Sequence, residues 1–279
     1  MSDPQYIRIE TPAPGVRRVV LARPEKRNAQ NPAMLYELDD AFLEATNDAA
    51  IKVIVLAADG PDFSSGHDLS DTFHVPHEPR ATMGGHLDLG MAEGHYAFEC
   101  ETYLGLCRRW RDLPKPTIAQ AHGRAIAGGI MLLWPMDIII ASEDATFADP
   151  VTAFGVNGVE YFTHVWEVGH RKAREMLFTG EPVSAQDGYR LGMVNHVVPR
   201  EELESFTLDM AQRIAARPTF GLRLAKESVN RTLDAQGQSV LLQSALSLHN
   251  QGHASALARF GSLTDPTGAE VIRNASRHP

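Results

Sequence analysis

Lys115-Pro116-Thr117-Ile118-Ala119-Gln120-Ala121-His122-Gly123-Arg124-Ala125-Ile126-Ala127-Gly128-Gly129 is the stretch on which the fold turns. It reads as a strand, a glycine turn, and a glycine pair that opens a helix. Glycines at a strand end let backbone approach a ligand closely. Free N–H groups at a helix start can hold an anionic oxygen, aided by the helix dipole. Downstream, Asp137-Ile138-Ile139-Ile140-Ala141 is an apolar run of strand length. Upstream, Val53-Ile54-Val55-Leu56-Ala57 is another, ended by Asp59-Gly60-Pro61. Continuous runs of this kind suit strands covered on both faces. A second glycine turn, Phe63-Ser64-Ser65-Gly66-His67-Asp68-Leu69, follows that upstream strand. Two such turns facing one another could make an oxyanion hole from two N–H donors.

Further out, residues 16–22 read as a strand and residues 23–28 as a turn. Asn31 and Pro32 then suit the N-cap and first position of a helix, continued by Leu35, Leu38, Phe42 and Ala45. A helix is expected over about 94–110 and a short strand over 145–148. Beyond Gly169 the chain becomes mostly helical: 171–178 closed by Thr179-Gly180, then a helix capped by Ser184 and ended at Gly192. A last strand over 193–198 precedes amphipathic helices over 201–216 and 219–249, with a weak turn near Gly237. The alternation of strands and helices is that of an α/β protein. The expected organisation is a core over 1–199 and a helical region over 200–279.

The chain has 279 residues, with 26 Lys+Arg against 35 Asp+Glu and a net charge of -9. That acidity excludes a nucleic-acid binder, which needs a basic field, and docking on an anionic membrane. Residues 126–141, the longest apolar stretch, are too few and too interrupted to span a bilayer. No basic segment followed by an apolar one opens the chain, so no signal peptide is expected. Cys100 and Cys107 lie about two turns apart in one expected helix, too far for a disulfide, and are read as reduced thiols of a cytoplasmic protein. No GxGxxG follows a strand and no GxxxxGK[ST] occurs, so dinucleotide and P-loop readings lack their fingerprints.

The order of these pieces, from Arg23-Pro24-Glu25-Lys26-Arg27-Asn28-Ala29 through Gly66-His67-Asp68, Gly128-Gly129 and Asp137-Ile138-Ile139-Ile140-Ala141-Ser142 to Phe178-Thr179-Gly180 and Gly192-Met193-Val194-Asn195, resembles the crotonase (enoyl-CoA hydratase/isomerase) superfamily. The resemblance runs over roughly residues 7 to 260. It implies a spiral of ββα units with a C-terminal helical region used in assembly as a homotrimer or dimer of trimers. It implies an acyl-CoA thioester substrate, with coenzyme A as part of that substrate and no separate cofactor. The backbone N–H groups of His67 and Gly128 would then polarise the thioester carbonyl and stabilise its enolate. The turn bearing Lys26, Arg27 and Ala29, with Ser65, Asp68 and Leu69, would lie along the CoA moiety.

The chain departs from the pattern at two positions. Typical hydratases of the family carry a Glu three residues after the oxyanion glycine and another directly after a later proline. Here these positions are Met131 and Val151. Adding water needs a group to activate it and a group to supply the proton, and neither side chain can serve. Two replacements present themselves. Asp149, if the chain there is extended, points to the same face as Val151, about 6.5 Å away. Glu160, if it starts a helix, shares a face with His164 at i, i+4. The resemblance implies an enoyl-CoA hydratase; the alternatives are an isomerase, decarboxylase or hydrolase working through the same enolate, or a weakly catalytic acyl-CoA-binding paralogue.

Other features are read as structural. Asp68 would order its own loop through backbone hydrogen bonds. His122 suits a satisfied loop histidine. His67, His74, His77, His86 and His95 crowd into 29 residues, mostly in a Gly-, Pro- and His-rich insertion over 70–95, but without cysteine partners or an HExxH no metal is assigned. The insertion is read instead as a polar loop over the acyl site. A chain at -9 that binds a polyanion must gather cations locally. Arg23, Lys26 and Arg27, with Arg108, Arg109, Arg111 and Lys115, are the places expected to do so.

Overall fold

The computed structural model describes residues 4–69 and 92–275. His74, His77, His86 and most of the 70–95 insertion lie outside these residues. The strands are β1 (Ile7–Ala13), β2 (Val16–Leu21), β3 (Val53–Ala58), β4 (Thr117–Ala121), β5 (Arg124–Ile126), β6 (Ile138–Ser142), β7 (Thr146–Ala148), β8 (Val183–Ser184) and β9 (His196–Val198). The helices are α1 (Pro32–Asn47), α2 (Ala92–Glu99), α3 (Leu106–Arg111), α4 (Gly128–Leu133), α5 (His164–Thr179), α6 (Ala185–Leu191), α7 (Leu203–Ala215), α8 (Thr219–Ala235), α9 (Gln238–Phe260) and α10 (Gly268–Ala275).

Six strands form one sheet in the order β1-β2-β3-β4-β6-β9, and β5-β7-β8 form a second. Only the hairpin β1–β2 is antiparallel in the large sheet; β2–β3, β3–β4, β4–β6 and β6–β9 are parallel. This is why the β3 sequence and the Ile138-Ile139-Ile140-Ala141 run of β6 are apolar without alternation: both faces are covered. On one face Leu21, Ile54, Leu56 and Ala119 join Phe42 of α1 and Trp110 of α3. On the other, Val16, Val53, Val55 and Ile118 meet Leu203, Ala211 and Ala215 of α7. Packing therefore crosses the division expected at residue 199, because α7 is the cover of the second sheet face.

Local sequence signals set most element ends. Asn31 caps α1, its Oδ1 accepting the Met34 N–H at 2.9 Å. Gly180 ends α5 in the left-handed region, its N–H donating to Met176 O. The helix expected over 94–110 is present as α2 and α3 joined by a six-residue π turn, Cys100–Gly105. The wider turn changes which side chains face inward; π turns recur at functional sites. Cys107 is buried and Cys100 partly so, both as free thiols, and burial pushes the Cys107 thiol well up.

The cations of the 108–115 knot do not gather for a ligand as expected. Arg109 pairs with the buried Asp39. Arg111 Nη2 donates to Asn230 O at 2.9 Å and Asp234 Oδ1 at 3.0 Å, pinning α3 to α8. Lys115 Nζ donates to Ala45 O and Asp48 O, each at 2.7 Å, at the end of α1. Arg111 and Lys115 are buried cations that need such partners, so these side chains are spent on the fold; Arg108 alone of the four has no described pair.

Candidate active site

The two glycine turns lie against each other as the sequence suggests. Ser64 N–H donates to Arg124 O at 3.1 Å and Ile126 N–H to Ser64 O at 3.0 Å, so residues 63–64 run beside β5. Ser64 Oγ donates to Asn28 O at 2.8 Å and accepts from Gln30 Nε2 at 3.0 Å, which joins the 23–30 turn to the same assembly. Gly66 has φ +94°, and a Cβ there would stand 2.8 Å from Ile126 O and 3.3 Å from Gly128 N. The two turns could not close this far around a larger residue.

Their free donors follow from the pairing. Gln30 donates to Gly66 O at 2.8 Å and accepts from Asp68 N–H at 2.8 Å. In a parallel bridge bonded that way, the N–H of the intervening His67 points to the opposite side. Ala127, in a left-handed conformation (φ 48°), turns the chain into α4, whose first N–H is that of Gly128. A first-turn N–H has no partner in its own helix.

The His67 ring lies over this place. A Cβ on Gly128 would be 2.9 Å from His67 Cε1 and 3.0 Å from its Nδ1. The ring stacks on Tyr103 of the π turn with centroids 4.2 Å apart. Its Nε2 stands 3.3 Å from Glu160 Oε2, and its buried Nδ1 has no partner among the described residues. Glu160 is 4% exposed. Burial by itself raises its carboxyl; His67, and then His249, outweigh that and hold it below the usual carboxylate range.

Glu160 does not begin a helix. It lies in the irregular segment before α5, and His164 starts the helix facing elsewhere. Asp149 is also not where the extended reading put it. The chain turns into a 3-10 helix at Val151–Phe154, and Asp149 is fully buried. Its Oδ2 accepts the Val159 N–H at 2.9 Å and lies 2.8 Å from His164 Nε2. Its carboxylate thus anchors the loop beside Glu160 rather than standing in for Val151. From the other side, His249 Nδ1 donates to Gly158 O at 2.7 Å and Asn157 Nδ2 to Ala245 O at 3.2 Å. Glu160 is held from both flanks.

The expected CoA-contacting residues fall together on one rim. Lys26, Arg27 and Leu69 are exposed there. Ala29 and Asp68 are buried. Asp68 forms an ion pair with Arg23, whose Nη1 lies 2.7 Å from Oδ2. Ser65 N–H donates to Arg27 O at 3.0 Å. Met131 is fully buried in the core. His122 Nε2 lies 3.0 Å from Gly60 O, away from the site, and burial lowers its pKa.

Beyond Glu160 the structure assembles a group that the sequence reading missed. Glu99 Oε1 has His95 Nε2 at 2.9 Å, His253 Nε2 at 3.1 Å and His249 Nε2 at 3.7 Å. His249 Nε2 is also 3.7 Å from Glu160 Oε1. The signals were present as two i, i+4 pairs: His95 with Glu99 on α2, and His249 with His253 on α9. Nothing local says that the two pairs meet.

The profile of the enoyl-CoA hydratase/isomerase family matches residues 12–260. The Mycobacterium tuberculosis protein EchA13, which carries an enoyl-CoA hydratase name, is 43% identical over 264 residues, 90% of this chain and 81% of that one. Among solved structures, a probable enoyl-CoA hydratase from Mycobacterium smegmatis superposes with a TM-score of 0.85 at 44% identity, covering 93% of this chain and 99% of that one. An enoyl-CoA hydratase/isomerase from Xanthobacter autotrophicus Py2 does so with a TM-score of 0.81 at 29% identity, covering 99% of both.

Proposed function

The chain belongs to the enoyl-CoA hydratase/isomerase family, and from that premise we propose that it is an acyl-CoA enzyme whose proton-transfer group is the Glu160–His67 pair. The observation that carries this reading is the His67 ring, 3.3 Å from Glu160 and close against Gly128, where a Cβ would stand 2.9 Å from its Cε1. A thioester oxygen bound by the His67 and Gly128 N–H groups would take up the enolate charge. Its α- and β-carbons would lie under an imidazole that a carboxylate orients.

The leading reaction is hydration of a 2-enoyl-CoA. Water adds its oxygen to the β-carbon as its proton passes to the pair; the electrons run to the thioester oxygen as an enolate. A proton from the pair then goes to the α-carbon, so the two-group requirement is met by Glu160 and His67 in place of Met131 and Val151. The reduced thiols support a cytoplasmic setting. No helix among the described residues is long and apolar enough to cross a membrane. Exposed Phe220, Val229 and Val240 on α8 and α9 support assembly into a homotrimer or dimer of trimers.

A second reading, 3-enoyl to 2-enoyl isomerisation, is favoured by the presence of one carboxylate, Glu160, beside the cradle. It would take a proton from the α-carbon and return it at the γ-carbon. Purified enzyme is mixed with a 2-enoyl-CoA and, separately, with a 3-enoyl-CoA of the same length. Loss of the conjugated thioester absorbance in the first marks a hydratase; a gain in the second marks an isomerase. Either activity should fall about 10²–10⁴-fold in Glu160→Gln. No change in either absorbance over a panel of chain lengths overturns both of these reactions and leaves decarboxylation, thioester hydrolysis or acyl-CoA binding alone.

A further inference from the structure

We propose that the chain holds one divalent transition-metal ion between α2 and α9, on His95, Glu99 and His253, with His249 and Glu160 bordering it. All five residues are at most 5% exposed. Their ligand atoms converge: those of His95, Glu99 and His253 lie within 4.8 Å of one another, and so do those of Glu99, Glu160 and His249.

The orientation of the rings suits a cation at this point. His253 Nδ1 faces Leu263 O at 2.5 Å and His249 Nδ1 faces Gly158 O at 2.7 Å. A carbonyl only accepts, so each Nδ1 carries a proton and each ring turns its Nε2 toward the Glu99 carboxylate. The second carboxylate, Glu160, stands alongside. Among the described residues neither acid pairs with Lys or Arg; their partners are histidines. A pair of buried carboxylates needs compensating positive charge, which one divalent ion held among the inward-facing nitrogens and Glu99 Oε1 supplies.

The surroundings have the form of a metal shell. Metal-binding imidazoles usually donate their far N–H to a backbone carbonyl, as His253 does here. Asn250 Nδ2 donates to Glu99 Oε2 at 2.8 Å, which leaves Oε1 as the inward ligand. Separations of 2.9 and 3.1 Å from Glu99 Oε1 to the two imidazole nitrogens suit ligands at right angles; the bonds would be about 2.1 Å. Two imidazoles and one carboxylate select zinc, iron, cobalt or nickel over magnesium or calcium. The same cluster could instead hold protons on its rings, and the experiment separates the two. The inference does not depend on which reaction the neighbouring site performs.

The full chain, with no affinity tag, is stripped with chelator and titrated with Co(II), followed by its visible d–d absorption, and with Zn(II), followed by calorimetry. One equivalent of each per chain is expected. Glu99→Gln, His95→Gln and His253→Gln should each weaken binding at least tenfold while keeping the wild-type circular dichroism. Failure of the wild-type chain to take up either ion overturns the proposal and makes the cluster a proton-holding network; that result needs no variant. Stoichiometric binding that survives all three substitutions in folded protein overturns it too.

Discussion

Two regions meet at His67, and they are built on opposite plans. The amide cradle below it is backbone: Gly66, Ala127 and Gly128 place N–H groups, and the segments that carry them are bonded to one another at Ser64, Arg124 and Ile126. The roof above it is made of side chains: Glu160, Glu99 and three histidines supplied by α2, α9 and the loop before α5. In the cradle the N–H groups are placed by bonds of the fold itself, so it tolerates little change. In the roof, each group can be altered without moving the sheet, so chemistry can vary over a constant cradle. Met131 and Val151 stand where typical members of the family carry acids, and Glu160 and Glu99 lie on the roof side of His67.

The comparison is broken most severely from below. Gly66→Val puts a branched Cβ where Ile126 O is 2.8 Å away, at a φ that β-branched residues avoid. Its kcat/KM should fall by about 10³-fold or more, at the upper end of the loss of an oxyanion donor. The substrate-independent fold, checked by circular dichroism, should be retained more than the activity. If activity survives in folded protein, the cradle is not the site of enolate stabilisation.

A second test separates an acid that acts from an acid that positions. Asp149→Ala leaves His164 and the Val159 N–H without their buried acceptor. Breaking such a pair costs about 3–5 kcal/mol, seen as a lower denaturant midpoint. Asp149→Asn keeps an acceptor and should recover much of that stability with kcat close to wild type. A loss of kcat in Asp149→Asn as large as in Glu160→Gln would instead make Asp149 a catalytic group.

Away from both regions, Glu167 provides a pH control. It lines a cavity of about 420 Å³ with Trp134, Tyr161 and Lys226, and burial pushes its carboxyl up to about 7. In the unfolded chain it titrates near the ordinary Glu value of about 4.3. Between these values the unfolded state gives up its proton first, so stability falls as pH rises from about 4.5 to 7 and then levels. Relative to Glu167→Gln, the wild-type chain should lose about 1–2 kcal/mol between pH 5 and pH 8, a range below the full linkage because the side chain is partly exposed. Parallel melting curves for the two proteins across that range would remove this account.

The smallest effect belongs to the rim. Lys26 and Arg27 are exposed, and an exposed charge contributes about 0.5–1 kcal/mol to holding an anion. Lys26→Ala and Arg27→Ala should each raise KM for an acyl-CoA a few-fold, with kcat unchanged and the difference shrinking in salt. Equal KM values at low salt would move the CoA contact elsewhere on the surface.

How much of this could be read from the chain differs between the two regions. The cradle was legible because its signals are local. An apolar run, a glycine at the strand end and a helix start are contiguous, and β3, β4, α4 and the Asn31 cap stand close to where the periodicity puts them. Glu160 was legible as a residue but not as a geometry: a helix start there was plausible, yet Asp149 and α9 hold the segment irregular. Arg111 and Lys115 were misplaced because a cation's partner is unknowable from its own neighbours. One is claimed by Asp234, 123 residues away, and the other by the end of α1.

The sequence by itself determined an α/β fold, a two-turn amide cradle and the absence of acids at positions 131 and 151. Each of these depends on residues within a few positions of one another, where sterics and hydrogen bonding act directly through the chain. Only the tertiary structure decided what stands above the cradle. Glu99 and His253 are separated by 154 residues, and their meeting depends on how α2, widened by a π turn, packs on α9. Side-chain chemistry of that kind is set by the packing of distant surfaces and not by any pattern along the chain.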